Sequence, residues 1–90
     1  MWVLSETLLD AALQPDDDIA FWEFCSYDCA VDYQEREASR NGRSDTIKQI
    51  DPVTLQTVWK DGTASEFLIY HRAGEVSGYW TCPNNYIHGG

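Results

Sequence analysis

The 90-residue chain sets 15 Asp and Glu against six Lys and Arg, a formal charge of −9, and carries four Trp, five Tyr and three Phe in a 43% hydrophobic composition. This length supports one packed core and no second domain, and the apolar content exceeds that of a disordered acidic chain. The charge disfavours direct binding to nucleic acid or to an anionic membrane, both of which it repels.

The charge is also segregated. Residues 1–35 hold nine acids (Glu6, Asp10, Asp16, Asp17, Asp18, Glu23, Asp28, Asp32 and Glu35) and no Lys or Arg, whereas the six acids and six bases of residues 36–90 cancel. Such a field has a direction and attracts basic protein surfaces, with plain solubility as the competing explanation. Met1–Glu6 has no base before its apolar residues, and its apolar run is too short for a signal peptide or a membrane span, so a cytoplasmic protein is expected. The odd number of cysteines, three, fits reduced thiols better than a disulfide framework.

In chain order, residues 1–42 are expected to be acidic and mainly helical. Ser5 is a good N-cap for a first helix over Glu6 to Gln14, with Leu8, Leu9, Ala12 and Leu13 on one side and Pro15 as its end. Asp16, Asp17 and Asp18 then suit the start of a second helix, where carboxylates cap orphan N–H groups and meet the helix dipole. From Ile19 to Ala38 the period is mostly helical. Ala20, Phe24, Tyr27, Val31 and Ala38 form a core-facing stripe, Asp28, Asp32 and Glu35 an acidic one, and Trp22, Cys25, Cys29 and Tyr33 a third sector. A second division is equally consistent: Ile19–Phe24 as a strand, because Ile-Ala-Phe-Trp-Glu-Phe is rich in strand formers, with Ser26 capping a helix that runs to Arg40. Under both, Asn41-Gly42 ends the helix.

Residues 43–82 change character. Thr46–Asp51, Val53–Lys60, Ser65–Arg72 and Glu75–Cys82 are β-rich runs separated by Asp51-Pro52, Asp61-Gly62 and Ala73-Gly74, the punctuation of an antiparallel meander. A two-residue turn at Ala73-Gly74 places Arg72 opposite Glu75 as a cross-strand ion pair. Residues 83–90 form an irregular tail. The expected fold is a single two-layer α+β domain: two N-terminal helices packed on a four-stranded antiparallel β-meander.

Phe24-Cys25-Ser26-Tyr27-Asp28-Cys29-Ala30-Val31-Asp32-Tyr33 resembles the helix-start half of the FCS-type (MYM/TRASH-like) zinc fingers, whose pattern is Phe-Cys-Ser-x-x-Cys followed by a small residue and an aromatic. The resemblance covers ten residues and implies that Cys25 and Cys29 are half of a zinc site. The family's preceding cysteine knuckle is missing, since residues 1–24 contain no Cys or His. Cys82 and His88 would complete a Cys3His set of the kind structural zinc uses, with His71 competing as fourth ligand. The alternative is that Cys25 and Cys29 are small apolar residues one turn apart in a core.

Catalysis is not expected. No nucleophile elbow, phosphate-cradling loop or calcium-loop pattern accompanies the two histidines and the acids, so no cofactor is expected beyond that zinc. The terminal Gly89-Gly90 resembles the tail of ubiquitin-like and sulfur-carrier proteins, whose β-grasp fold begins with a β-hairpin, whereas this chain is expected to begin with helices. In size and charge the chain resembles phage-encoded anti-defence and immunity-type proteins. The expected function is therefore that of a small acidic inhibitor, monomeric or homodimeric, that occupies the nucleic-acid-binding surface of a basic partner. Asp16, Asp17, Asp18, Asp28, Asp32 and Glu35 are its expected contacts. Trp22 is the expected aromatic anchor, with Trp2 and Tyr86 as further candidates.

Overall fold

The computed structural model describes residues 1–73. They form strand β1 (Trp2–Leu9), strand β2 (Pro15–Phe24), helix α1 (Tyr27–Ser39), a 3-10 turn (Arg40–Gly42) and strands β3 (Ser44–Asp51), β4 (Thr54–Trp59) and β5 (Ala64–His71). The strands make one antiparallel sheet in the order β2-β1-β5-β4-β3, and α1 crosses one of its faces.

The expected pair of helices on a four-stranded meander is thus corrected to one helix on a five-stranded sheet. The first expected helix, Glu6–Gln14, is instead mostly β1 and the turn after it. β1 lies between β2 and β5, and Val3, Leu4 and Leu9 are all buried on it, although alternate residues point to opposite faces. A strand covered on both sides loses the apolar-polar alternation that marks a half-exposed one, and its Leu pair reads as a helical stripe. Asp10 then makes the hairpin turn: its Oδ1 accepts the N–H groups of Ala12 (2.9 Å) and Gln14 (3.0 Å), and Leu13 takes a left-handed φ of 59°. Asp16, Asp17 and Asp18 lie at the start of β2 and cap no helix.

Of the two readings of residues 19–24, the strand is the one observed. Ser26 is the N-cap of α1, its Oγ accepting the Cys29 N–H at 3.2 Å. The helix ends in three successive left-handed residues, Arg40 (φ 41°), Asn41 (φ 55°) and Gly42 (φ 81°). Strands β3, β4 and β5 fall on the first three runs of the expected meander. The fourth run, Glu75–Cys82, lies outside the described residues, as do the tail, Glu75, Tyr86 and Gly89-Gly90. The position beside β5 that a fourth meander strand requires is held by β1 over Trp2–Leu9. Arg72, expected opposite Glu75, donates to Glu23 of β2 at 2.8 Å. The described chain begins with the β1–β2 hairpin, which corrects the expected helical start that distinguished it from β-grasp proteins.

The core lies between α1 and the sheet. Leu4, Phe24, Leu55, Trp59, Phe67 and Ile69 face Cys29, Ala30 and Ala38, whose small side chains let the helix backbone approach closely. Gln34, 3% exposed at the middle of α1, is the polar one among the four buried residues of the helix. Its Nε2 donates to the carbonyls of Val53 (3.0 Å) and Phe67 (2.8 Å), and Thr57 Oγ1 donates to Ala38 O (3.1 Å), which sets the height of the helix over β4 and β5. Gln34→Ala leaves the buried Phe67 carbonyl without this donor and is expected to destabilise by about 1–3 kcal/mol. Glu35→Ala on the exposed flank should stay within about 0.5 kcal/mol. Urea unfolding midpoints at unchanged slope test both.

Candidate functional site

The six acids expected to contact a partner form two groups. On α1, Tyr33 meets Trp22 (5.4 Å) and Phe24 (5.3 Å) of β2. Glu35, two residues on, lies about 200° around the helix, and Asp28 and Asp32 share its flank, so this stripe points away from β2. It is partly neutralised, since Asp32 pairs with Arg36 at 3.1 Å, and Asp28 occupies the first turn, where the helix dipole favours it. Asp16, Asp17 and Asp18 sit together on β2, all exposed, with Asp18 accepting a hydrogen bond from Thr7 Oγ1 at 3.0 Å.

Among the described residues β2 pairs with β1 alone, so its outer edge carries the acids beside unpaired backbone. Two register shifts leave Asp16 and Ile19 as extra residues on β2. Such bulges twist an edge strand and break its regular ladder. Phe21 is 62% exposed on the face away from α1, where Tyr70 (40%) and Leu68 (37%) of β5 accompany it. Phe21 and Leu68 flank Ser5 in the register, and a cleft of about 630 Å3 is lined by Ser5, Asp18, Ile19, Phe21, Tyr70 and Arg72. Acidic and apolar groups therefore adjoin at this edge.

Trp22, the anchor expected from sequence, is half-buried on the opposite face against Tyr33. Trp2 packs between Tyr27 (5.1 Å) and His71 (5.0 Å). Phe21 was missed because a helical reading of this segment places it beside Trp22. The period of a strand sends the two rings to opposite faces.

At the far end of α1 the guanidinium of Arg40 donates to Glu6 Oε1 (2.7 Å) and Glu37 Oε2 (3.2 Å) and lies over the rings of Trp59 (4.6 Å) and Phe67 (5.9 Å). Burial alone would lower its basicity. The hydrogen bond and attraction of Glu6, and then of Glu37, outweigh this and hold Arg40 above the ordinary arginine range. Burial, followed by the Glu37 carboxylate, pushes the Tyr33 phenol up. Glu6 is 2% exposed, and its Oε2 has no hydrogen-bond donor among the described residues. No sequence pattern connects Glu6 with Arg40 across 34 positions.

The Ser26 cap sets Cys25, exposed, just before α1 and Cys29, buried, in its first turn. Cys82 and His88, the other two residues of the expected zinc set, lie outside the described residues. No group of three metal-ligating side chains occurs among the described residues, and the exposed His71 stacks against Trp2. None of the helices among the described residues is long and apolar enough to cross a membrane. No family model, curated protein or solved structure matches the chain.

The placement of the two neighbouring rings has a direct consequence. Phe21→Ser is expected to change the unfolding free energy by no more than about 0.5 kcal/mol. Trp22→Ser, which removes the contact with Tyr33 and Phe24's surroundings, should cost roughly 2–4 kcal/mol. Urea unfolding of the two variants separates the exposed ring from the structural one.

Proposed function

We propose that this chain is a non-catalytic binding module that covers a basic, nucleic-acid-binding surface of a partner protein, in the manner of a phage anti-defence or immunity-type inhibitor. The observation that carries the reading is the adjacency on β2 of exposed Asp16, Asp17 and Asp18 to exposed Ile19 and Phe21. Carboxylates at the edge steer a cationic surface into contact and confer a salt-dependent on-rate. Desolvated aromatic and aliphatic groups beside them supply short-range energy of the kind that concentrates in interface hot spots. The stripe of Asp28, Asp32 and Glu35, with its first two carboxylates about 6 Å apart along the helix axis, is a second acidic face suited to a basic partner surface.

One observation favours a zinc-held adaptor as the second reading: the Ser26-capped start of α1 puts Cys25 and Cys29 where the FCS-type half motif has them. Near one zinc per chain in protein purified without added metal, with unfolding on chelation, would favour it over the first reading.

The inhibitor reading is tested by capture from lysate at about 50 mM and 300 mM salt, comparing the native chain with D16K/D17K/D18K, Phe21→Ala and D28K/D32K/E35K. A basic protein that is retained at low salt, lost at high salt, displaced by excess duplex DNA and lost from both β2 variants is the expected result. Equal retention by D16K/D17K/D18K and Phe21→Ala would remove β2 as the binding surface.

A further inference from the structure

A second cleft opens on the helix side of the sheet, where α1 ends, on the opposite face from Phe21 and Tyr70. Its volume of about 420 Å3 lies in the range of small-molecule sites. Leu8 of β1, Ile19 of β2 and Trp59 of β4 supply apolar walls, the paired Glu6 and Arg40 line it, and Arg43 and Lys60 stand at its margin.

The turn chemistry holds those two cations together. The left-handed run Arg40–Gly42 reverses the chain so that the Arg43 N–H donates to Arg40 O (3.3 Å), and the Lys60 N–H donates to Arg43 O (2.9 Å). The β4–β5 turn is fixed in its own right: Gly62 has a φ of 93°, and Asp61 Oδ1 accepts both the N–H (2.9 Å) and the hydroxyl (2.6 Å) of Thr63. Those bonds hold the Asp61 carboxyl below its usual range, the hydroxyl first and the N–H second.

Three of the six cations of a chain with net charge −9 line this one cleft. Arg40 is engaged by Glu6 and Glu37, whereas Arg43 and Lys60 have no ion pair among the described residues. Glu6 and Asp61 also line it, so the three cations leave an excess of one positive charge that attracts an anion on an otherwise acidic chain. A guanidinium fork beside an ammonium suits a phosphate, which offers oxygens to both. The buried Glu6 Oε2 asks for the opposite chemistry. It lacks a donor among the described residues, and Glu6 lines the cleft, so an N–H that enters there would satisfy it.

We propose that this cleft binds a small amphipathic anion of the nucleoside monophosphate kind, its phosphate on Arg43 and Lys60, its planar ring against Leu8, Ile19 and Trp59, and a ring N–H on Glu6. The cleft shares Ile19 with the protein-binding surface at Phe21 and Tyr70, but Arg43, Lys60 and Glu6 lie outside that surface, so variants at those positions leave it intact.

The test is a titration of the isotope-labelled full chain with guanosine 5′-monophosphate to about 5 mM, the weak end of measurable affinity, followed by amide and Trp indole N–H shifts. Guanosine and inorganic phosphate are titrated as separate arms. Saturable shifts at Leu8, Ile19, Arg43, Trp59 and Lys60 are expected, with guanosine binding about tenfold more weakly because it lacks the charge-assisted contacts. R43A/K60A, at exposed positions that leave the fold intact, should weaken the nucleotide by about tenfold or more, and Glu6→Gln should weaken it as well. If Glu6→Gln loses its folded spectrum, the Arg43 and Lys60 variant decides. Absence of saturable shifts at these residues, phosphate alone binding as tightly as the nucleotide, or undiminished affinity in R43A/K60A would overturn the proposal.

Discussion

The position on which most of the molecule converges is Arg40. Its backbone ends α1 in a left-handed conformation, and its side chain reaches across to Glu6 at the middle of β1 while stacking over Trp59 and Phe67 of β4 and β5. Helix, N-terminal hairpin and meander therefore meet at one guanidinium. A buried pair of this kind adds little net stability, because desolvating both charges offsets their attraction. Its effect is to penalise alternatives. A helix shifted along or across the sheet leaves the Glu6 carboxylate buried without a cation, a far larger loss than any surface ion pair can restore. Together with the two hydrogen bonds of Gln34 to Val53 and Phe67, this pair locates α1 on the sheet at the middle and at the end of the helix.

The same arrangement sorts the charges. Arg36, Arg40 and Arg72 are drawn into pairs with Asp32, Glu6, Glu37 and Glu23. Acids left on the surface form groups at the start of β2 and on the outer flank of α1, and Arg43 and Lys60 line one cleft together with Ile19 and Asp61. Both outer strands also carry bulges, at Asp16 and Ile19 on β2 and at Asp45 and Ile50 on β3. Bulges and edge charges discourage open-ended strand pairing.

Three strands and one helix were legible in the sequence because their signals are local. β3, β4 and β5 are delimited by Asp-Pro, Asp-Gly and Ala-Gly, and α1 by the Ser26 cap and the Asn41-Gly42 stop. The hairpin was lost for a non-local reason. β1 buries Leu4 and Glu6 beneath α1 and Val3 and Leu9 on the other face, so Trp2–Leu9 does not alternate as a half-exposed strand does. With Glu6–Gln14 read as a helix, Glu6 became a first-turn acid and Asp16–Asp18 the cap of a second helix, while residues 19–24 stayed open between helix and strand and Phe21 had no role. The pairing of Glu6 with Arg40 and the convergence of Arg43 with Lys60 depend on tertiary contacts that no local pattern encodes.

The most direct measurement of this organisation is a double-mutant cycle on Glu6→Gln and Arg40→Met by urea unfolding at neutral pH. A coupling energy of about 2 kcal/mol or more is expected, with Arg40→Met the costlier single change at roughly 3–5 kcal/mol, because it strands the Glu6 carboxylate in the interior. Strictly additive effects, within about 0.3 kcal/mol, would contradict a structure in which this pair fixes the helix to β1.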